Sequence, residues 1–314
     1  MENLMFSLNA TMPLFLLMVC GGVFKKIGWI DDIFATKMNG FVFKVALPVM
    51  VFHDLATVDF FDAWDTSFVC FCFFVTAISI VISAGASLFF DKSIRGEFIQ
   101  GSYRSSAALL GIAFIQNIYG TSGMGPLMII GSVPLYNIVA VLVLTLFKPG
   151  NDGKMDGALM KKTLIGILKN PIIIGIVIGF LWSALRIPMP VILEKTTSKL
   201  GAVASPLGLM AMGASFDIRQ ATGKIGPALT ASLLKLVGFC AAFLPVAAKL
   251  GFYNEKMIAI LVMLGSCSTV AGYVMAKNMG HEGVVSASCV MLTTMLSAFT
   301  LTFWLFVLRT FGLV

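Results

Sequence analysis

The residues best suited to chemistry in this 314-residue chain fall in two short polar runs inside otherwise apolar sequence. The first is Arg104-Ser105-Ser106, within 103–120 (YRSSAALLGIAFIQNIYG), which also holds Gly111, Ala113 and Asn117. The second is Ser266, Ser268 and Thr269, within 265–280 (GSCSTVAGYVMAKNMG), followed by Gly272. Polar groups at membrane depth cost several kcal/mol each unless they are paired internally. A helix broken there presents unpaired N–H groups with positive dipole character, which suits a carboxylate ligand even without a buried Arg. The plainer reading is packing, with small residues between helices and hydroxyls bonded back to their own turns.

Other polar residues lie in apolar stretches. Lys235 falls mid-span, where a charge is either a coupling or anion-attracting group or a structural partner. Lys44 lies within the second span. Arg104 reads as an interface anchor ahead of a substrate contact. Asn137 has Ser297 at the mirrored position and is a cavity candidate. Pro48, in Ala46-Leu47-Pro48, and Ser205, in Ala204-Ser205-Pro206, complete the candidate ligand set. His53-Asp54 reads either as a proton relay or as a helix-end pair. His53 and His281 are the chain's two histidines. No GxSxG, HExxH or P-loop pattern occurs, so neither an enzyme nor an ATP-driven pump is indicated, and no cofactor is expected.

The elements that must position these residues follow from composition. The chain is 58% hydrophobic and 12% charged, with mean hydropathy +0.96. Soluble domains carry roughly 25% charged residues, so this is an all-α polytopic membrane protein, with lipid as its solvent. The net charge of +7 needs no nucleic-acid partner, because basic residues collect on cytoplasmic loops. The six cysteines lie in apolar sequence without CxxC spacing and read as buried small residues. The first apolar run lacks a basic leader and a cleavage site and reads as a retained span.

Windows of about 20 apolar residues place ten spans near 5–24, 36–56, 66–90, 98–118, 124–147, 160–186, 190–215, 224–249, 256–278 and 284–309. Connections after odd spans hold twelve Lys and Arg, against six in the other connections and termini. Both termini are therefore expected on the extracytoplasmic side of the cell membrane. Pro13 and Pro48 are 35 residues apart, as are Pro171 and Pro206; Gly120/Gly123 and Gly280/Gly283 match at an offset of 160. This predicts two inverted five-helix repeats, 1–148 and 160–314, joined by a cytoplasmic linker at 149–159, with the ligand at the midplane.

The stretch FKVALPVMVFH (43–53) resembles the second-helix signature of the auxin efflux carrier (AEC) family. PLGLMAMGAS (206–215) resembles that family's seventh helix, and Lys235-Leu236 with Pro245 its eighth. The resemblance runs from about Pro13 to Trp304. It implies ten helices, with broken helices four and nine crossing at the site. It also implies secondary transport of small organic anions, with a bacterial malonate-permease-like member as the nearest type, within the bile acid/arsenite/riboflavin transporter-like superfamily. Relatives carry proline in both crossing helices, within GIP and PPA. Here Gly111-Ile112-Ala113 and Ser268-Thr269-Val270-Ala271 stand there, so either Gly111 and Gly272 open the helices or the break is shallower and the substrate differs. Ser106 falls where plant members have Asn.

The reading is a secondary transporter of a small carboxylate, auxin- or malonate-like, working by alternating access. A ligand-gated channel or membrane-embedded sensor is the competing class. The broken spans lack Asp and Glu, which places proton coupling or uniport ahead of Na⁺. The oligomeric state stays open, with a homodimer among the options.

Overall fold

A computed structural model describes residues 13, 16–57, 64–107, 111–120, 123–149, 165, 168–216 and 224–314, with 112, 113, 116 and 117 described by backbone alone. Everything below concerns these residues. The linker expected at 149–159 lies outside them except for residue 149.

The described chain is helical. We label α1 (16–26), α2 (Asp32–Ala56), α3 (Thr66–Ser87), α4 (Lys92–Tyr103), α5 (Ile112–Tyr119) and α6 (Gly125–Leu146). There follow α7 (Pro171–Ala184), α8 (Val191–Ala202), α9 (Ala204–Ser215), α10 (Ile225–Lys249), α11 (Glu255–Gly265), α12 (Val270–Asn278) and α13 (Val284–Thr310). Five of these, α2, α3, α6, α10 and α13, are long and apolar enough to cross a membrane, and α7 is a shorter apolar helix. Large apolar side chains such as Phe74, Val81, Val177, Leu181, Phe303 and Phe306 point outward, as a lipid-facing surface requires.

Helix ends follow local chemistry. Asp65 caps α3 by accepting from Phe68 N–H, and Asn170 caps α7 by accepting from Ile172 N–H with Pro171 in the first turn. Two long helices widen into single π-turns, at Val42–Ala46 in α2 and Leu234–Phe239 in α10. In α2 the Leu47 N–H reaches back to Val42 O, and Pro48, which has no N–H, follows at once. The π-turns hold Lys44, which is exposed, and Lys235, which is fully buried.

The helices form two groups. In the first, α2 packs on α7, α8 and α9, and α1 crosses α9. Small residues set these distances. A Cβ on Gly175 would stand 2.5 Å from Pro48 O, and one on Gly213 would stand 1.9 Å from Met18 O. Neither position accepts any other side chain without separating the helices. In the second group α3, α4 and α6 pack together, and α13 packs on α4, α10, α11 and α12. The groups meet where α12 lies against α9 and α2, and where α6 touches α7.

The spans expected to be broken, at 98–118 and 256–278, are both interrupted. Arg104, Ser105 and Ser106 leave the helix after α4, and Ser266 to Thr269 leave it between α11 and α12. The interruptions fall on the hydroxyl-rich runs and not on the glycines. Gly111 follows the first break, with its N–H bonded to Ser106 O at 3.2 Å, and Gly272 lies inside the first turn of α12. Ser and Thr offer the backbone alternative partners, so they release a helix where proline is absent. Of the cysteines, Cys72, Cys240, Cys267 and Cys289 are buried as expected, whereas Cys20 and Cys70 lie on the outer surface.

Candidate functional site

The two interruptions meet. Ser105 and Ser268 form an isolated antiparallel β-bridge, and Ser106 N–H donates to Cys267 O at 2.9 Å. Backbone this deep must find all its partners internally. Here the ends of the half-helices find them in side chains. Ser268 Oγ donates to Gly101 O at 2.8 Å, near the C-terminus of α4. Ser268 N–H donates to Thr293 Oγ1 at 2.9 Å. At the C-terminus of α11, Tyr136 Oη donates to Met263 O at 3.2 Å. Lys235 Nζ reaches Leu264 O at 3.5 Å and also donates to Ser105 Oγ. Thr269 caps α12 by accepting from Ala271 N–H.

Against this crossing lies a pocket of about 500 Å³ of empty space, part of it open to solvent. One wall comes from α2 and α7, with Leu47, Met50, Val51, Asp54 and Ile172. The opposite wall comes from the second group, with Arg104, Ser105, Ser106, Tyr136, Asn137 and the start of α12 at Thr269 and Ala271. The pocket therefore sits between the two groups of helices.

Among the pocket's lining residues Arg104 is the one basic side chain and Asp54 the one acidic side chain. The Arg104 side chain is 4% exposed, its Nη2 donates to Asn137 Oδ1 at 2.5 Å, and its Nη1 faces Met275 Sδ at 2.9 Å. Both partners are neutral. Among the described residues the ion pairs are Lys25–Asp32, Lys224–Glu282 and Lys256–Asp65, and none includes Arg104. A guanidinium held in low dielectric without a carboxylate favours an incoming anion. The N-terminus of α12 adds positive dipole character on the same wall.

A second, smaller pocket of about 190 Å³ of empty space, part of it open to solvent, is lined by Gln100, Ser268, Gly272, Tyr273 and Ser286. Arg104 and Thr269 line both cavities. Tyr273 also lines a third, with Ser215, Lys277 and Glu282.

The expected residues divide accordingly. Ser105, Ser106, Asn137 and Thr269 line the main pocket, and Ser268, Thr269 and Gly272 the smaller one. Lys235 supports the crossing from within the core and lines none of the three cavities. Ser266 is buried with its hydroxyl unpartnered, and Gly111 packs toward Met128 and Val262. Pro48 faces Gly175 instead of the pocket, and Ser205 is half-buried in the first turn of α9. His53 turns toward α8, where Nδ1 lies 3.0 Å from Thr197 Oγ1. The side chains of Ala113 and Asn117 lie outside the described residues.

The expectation that Arg104 anchors at the interface is corrected, because it is buried at the crossing. Tyr136 was missed as a pocket residue, whereas Asp54, read with His53 as a proton relay or a helix-end pair, lines the pocket without its neighbour. A usable signal existed for Arg104. Gln100 precedes it by one helical turn on the same face, and a polar pair of that kind in an apolar span points inward.

Fold and site together define a multi-pass α-helical membrane protein with a pocket, lined by Arg104 and Asp54, at the crossing of two interrupted helices. A family model described as "Membrane transport protein" matches residues 6–305. The chain belongs to that family, the AEC family of membrane transport proteins. No curated protein matches the chain.

Proposed function

We propose that this membrane transport protein is a secondary transporter that carries a small organic anion, auxin- or malonate-like, across the cytoplasmic membrane. The observation that carries the reading is Arg104, a buried cation in the central pocket whose partners are the neutral Asn137 and Met275. A carboxylate supplies the missing counter-charge and pairs with guanidinium in a planar, two-pronged geometry. Ser105, Ser106, Thr269 and the α12 N-terminus supply further donors.

The architecture we infer is ten spans in two inverted five-helix repeats. In its support, Gly120 and Gly280 share the left-handed backbone, at φ 75° and 89°, as do Gly123 and Gly283, at 46° and 76°. These are the glycines whose spacing suggested the repeat, and each pair sits just after an interrupted helix. Because the pocket lies between two helix groups, relative movement of the groups would open it to one side and then the other. That Arg104 lines two neighbouring cavities and Tyr273 two supports a route past these residues. Both termini are placed on the extracytoplasmic side by the Lys/Arg distribution.

The test is counterflow. Proteoliposomes preloaded with an unlabelled carboxylate should take up the labelled form faster than empty ones, and uptake should saturate. Flux that neither saturates nor responds to preloading would make the protein a channel. Carboxylate binding without flux would make it a sensor.

A further inference from the structure

The transport reading leaves the driving ion open, and Asp54 addresses it. Asp54 lies on α2 and lines the main pocket on the wall facing Arg104. No ion pair joins the two, although they share one cavity. Its carboxylate has no hydrogen bond to another described residue, whereas its neighbour His53 is turned to Thr197.

The groups around Asp54 leave it isolated. The helix packed closest on this face, α7, has no charged side chain in Pro171–Ala184. On α8, Glu194, Lys195 and Lys199 are exposed, and the charge of Glu194 acts on His53. On α2 itself, Lys44 is exposed in the π-turn. Across the pocket stand Arg104 and the Tyr136 phenol, and Tyr136 is committed to Met263 O.

We propose that Asp54 is the proton site of this transporter, so that anion and proton move together; this rests on the transport reading above. An ionised Asp54 repels a carboxylate brought into the same cavity, and a protonated one does not. Proton and anion therefore favour each other's binding by the same factor. One proton from the more acidic side joins the Asp54 carboxylate as the anion pairs with Arg104. Both leave on the other side, and the carboxylate is regenerated there. Sodium fits this place poorly, since Arg104 is on the opposite wall and Lys235 already occupies the Ser105 hydroxyl.

The test uses full-length protein in proteoliposomes with labelled pyruvate, malonate and succinate in parallel. Measurements run between about pH 6.5 and 8.5, where simple carboxylic acids with ordinary pKa values near 4 are largely ionised. Wild type should accumulate the transported probe when the outside is acidic, with or without Na⁺. Its apparent affinity should fall by up to about tenfold per pH unit, as one-proton linkage requires. In Asp54→Asn, accumulation should be lost and whatever binding persists should no longer vary with pH, while Asp54→Glu restores the dependence. Size-exclusion behaviour of the purified variants reports folding separately. Proton-driven accumulation by Asp54→Asn, or accumulation by wild type on a Na⁺ gradient alone, would overturn the proposal. If wild type moves none of the probes even by counterflow, the transport reading fails first and the proton site falls with it.

Discussion

Ser105 and Ser268 pair across the middle of the molecule, although they are far apart in sequence and each follows the end of a helix. A single bridge of this kind holds two interrupted helices at one point. It leaves the N-terminus of α12 facing a pocket, and the C-termini of α4 and α11 are held by Ser268, Tyr136 and Lys235. The polarity is sorted. Carbonyl ends are consumed by donors from the core, while an N–H end and Arg104 are left for a ligand.

Ser106 lines the pocket beside the bridge and is half-buried. Leucine there projects four apolar carbons into the space a carboxylate would occupy. Ser106→Leu is expected to lower carboxylate uptake by roughly tenfold or more, equivalent to about 1.4 kcal/mol of binding. The backbone bond from Ser106 N–H to Cys267 O does not involve the side chain, so thermal unfolding should stay near that of wild type. Unchanged uptake would remove Ser106 from the site.

Lys235 is fully buried and serves two acceptors at the crossing, Ser105 Oγ and Leu264 O. Lys235→Met keeps much of the volume and removes the donor. Leaving those acceptors unpaired should cost about 1–3 kcal/mol of stability. The unfolding midpoint in detergent should drop, and methionine should not match arginine or lysine there. A variant as stable as wild type would show that the amine is not what holds the crossing.

Asp65 caps α3 and accepts from Lys256 Nζ at 2.5 Å, tying the start of α3 to the start of α11. The hydrogen bond from Lys256, followed by that from Phe68 N–H, holds its carboxyl below the ordinary carboxylate range. A depressed carboxyl stabilises the fold above its unfolded-state pKa, and that contribution is lost as pH falls through the folded-state value. Asp65→Ala should cost about 1 kcal/mol, mostly through the cap, because ion pairs that solvent still reaches contribute little. Unfolding midpoints at neutral and acidic pH check this, and the difference between wild type and variant should shrink in acid.

Much of the helix layout was legible in the apolar windows. The expected spans 66–90, 124–147 and 284–309 are α3, α6 and α13 within a few residues. The crossing was less legible. Glycine was the expected breaker because the prolines of relatives are absent here, yet the hydroxyl runs before Gly111 and Gly272 are where the helices open. Arg104 was misplaced for a geometric reason. Counting its span from residue 98 leaves it near an interface, whereas α4 begins at Lys92 and its 12 residues carry Arg104 about 18 Å along the axis. On the facing wall His53-Asp54 stood out as a polar pair, but which of the two enters the pocket was not legible. Which side of α2 meets the pocket depends on the close approach of Gly175 and Gly179 to its backbone, a tertiary fact that turns Asp54 inward and His53 toward Thr197.

The central claim is that a carboxylate binds at Arg104. Thermal unfolding of the purified protein with a panel of mono- and dicarboxylates, with and without Na⁺, tests it most directly. A ligand at a hundredfold excess over its Kd stabilises the fold by about 2.7 kcal/mol. Wild type should be stabilised by at least one carboxylate to the same extent in Na⁺ and in its absence, and Arg104→Gln should lose that stabilisation. Equal stabilisation of Arg104→Gln, or none of the wild type by any carboxylate, would contradict the account.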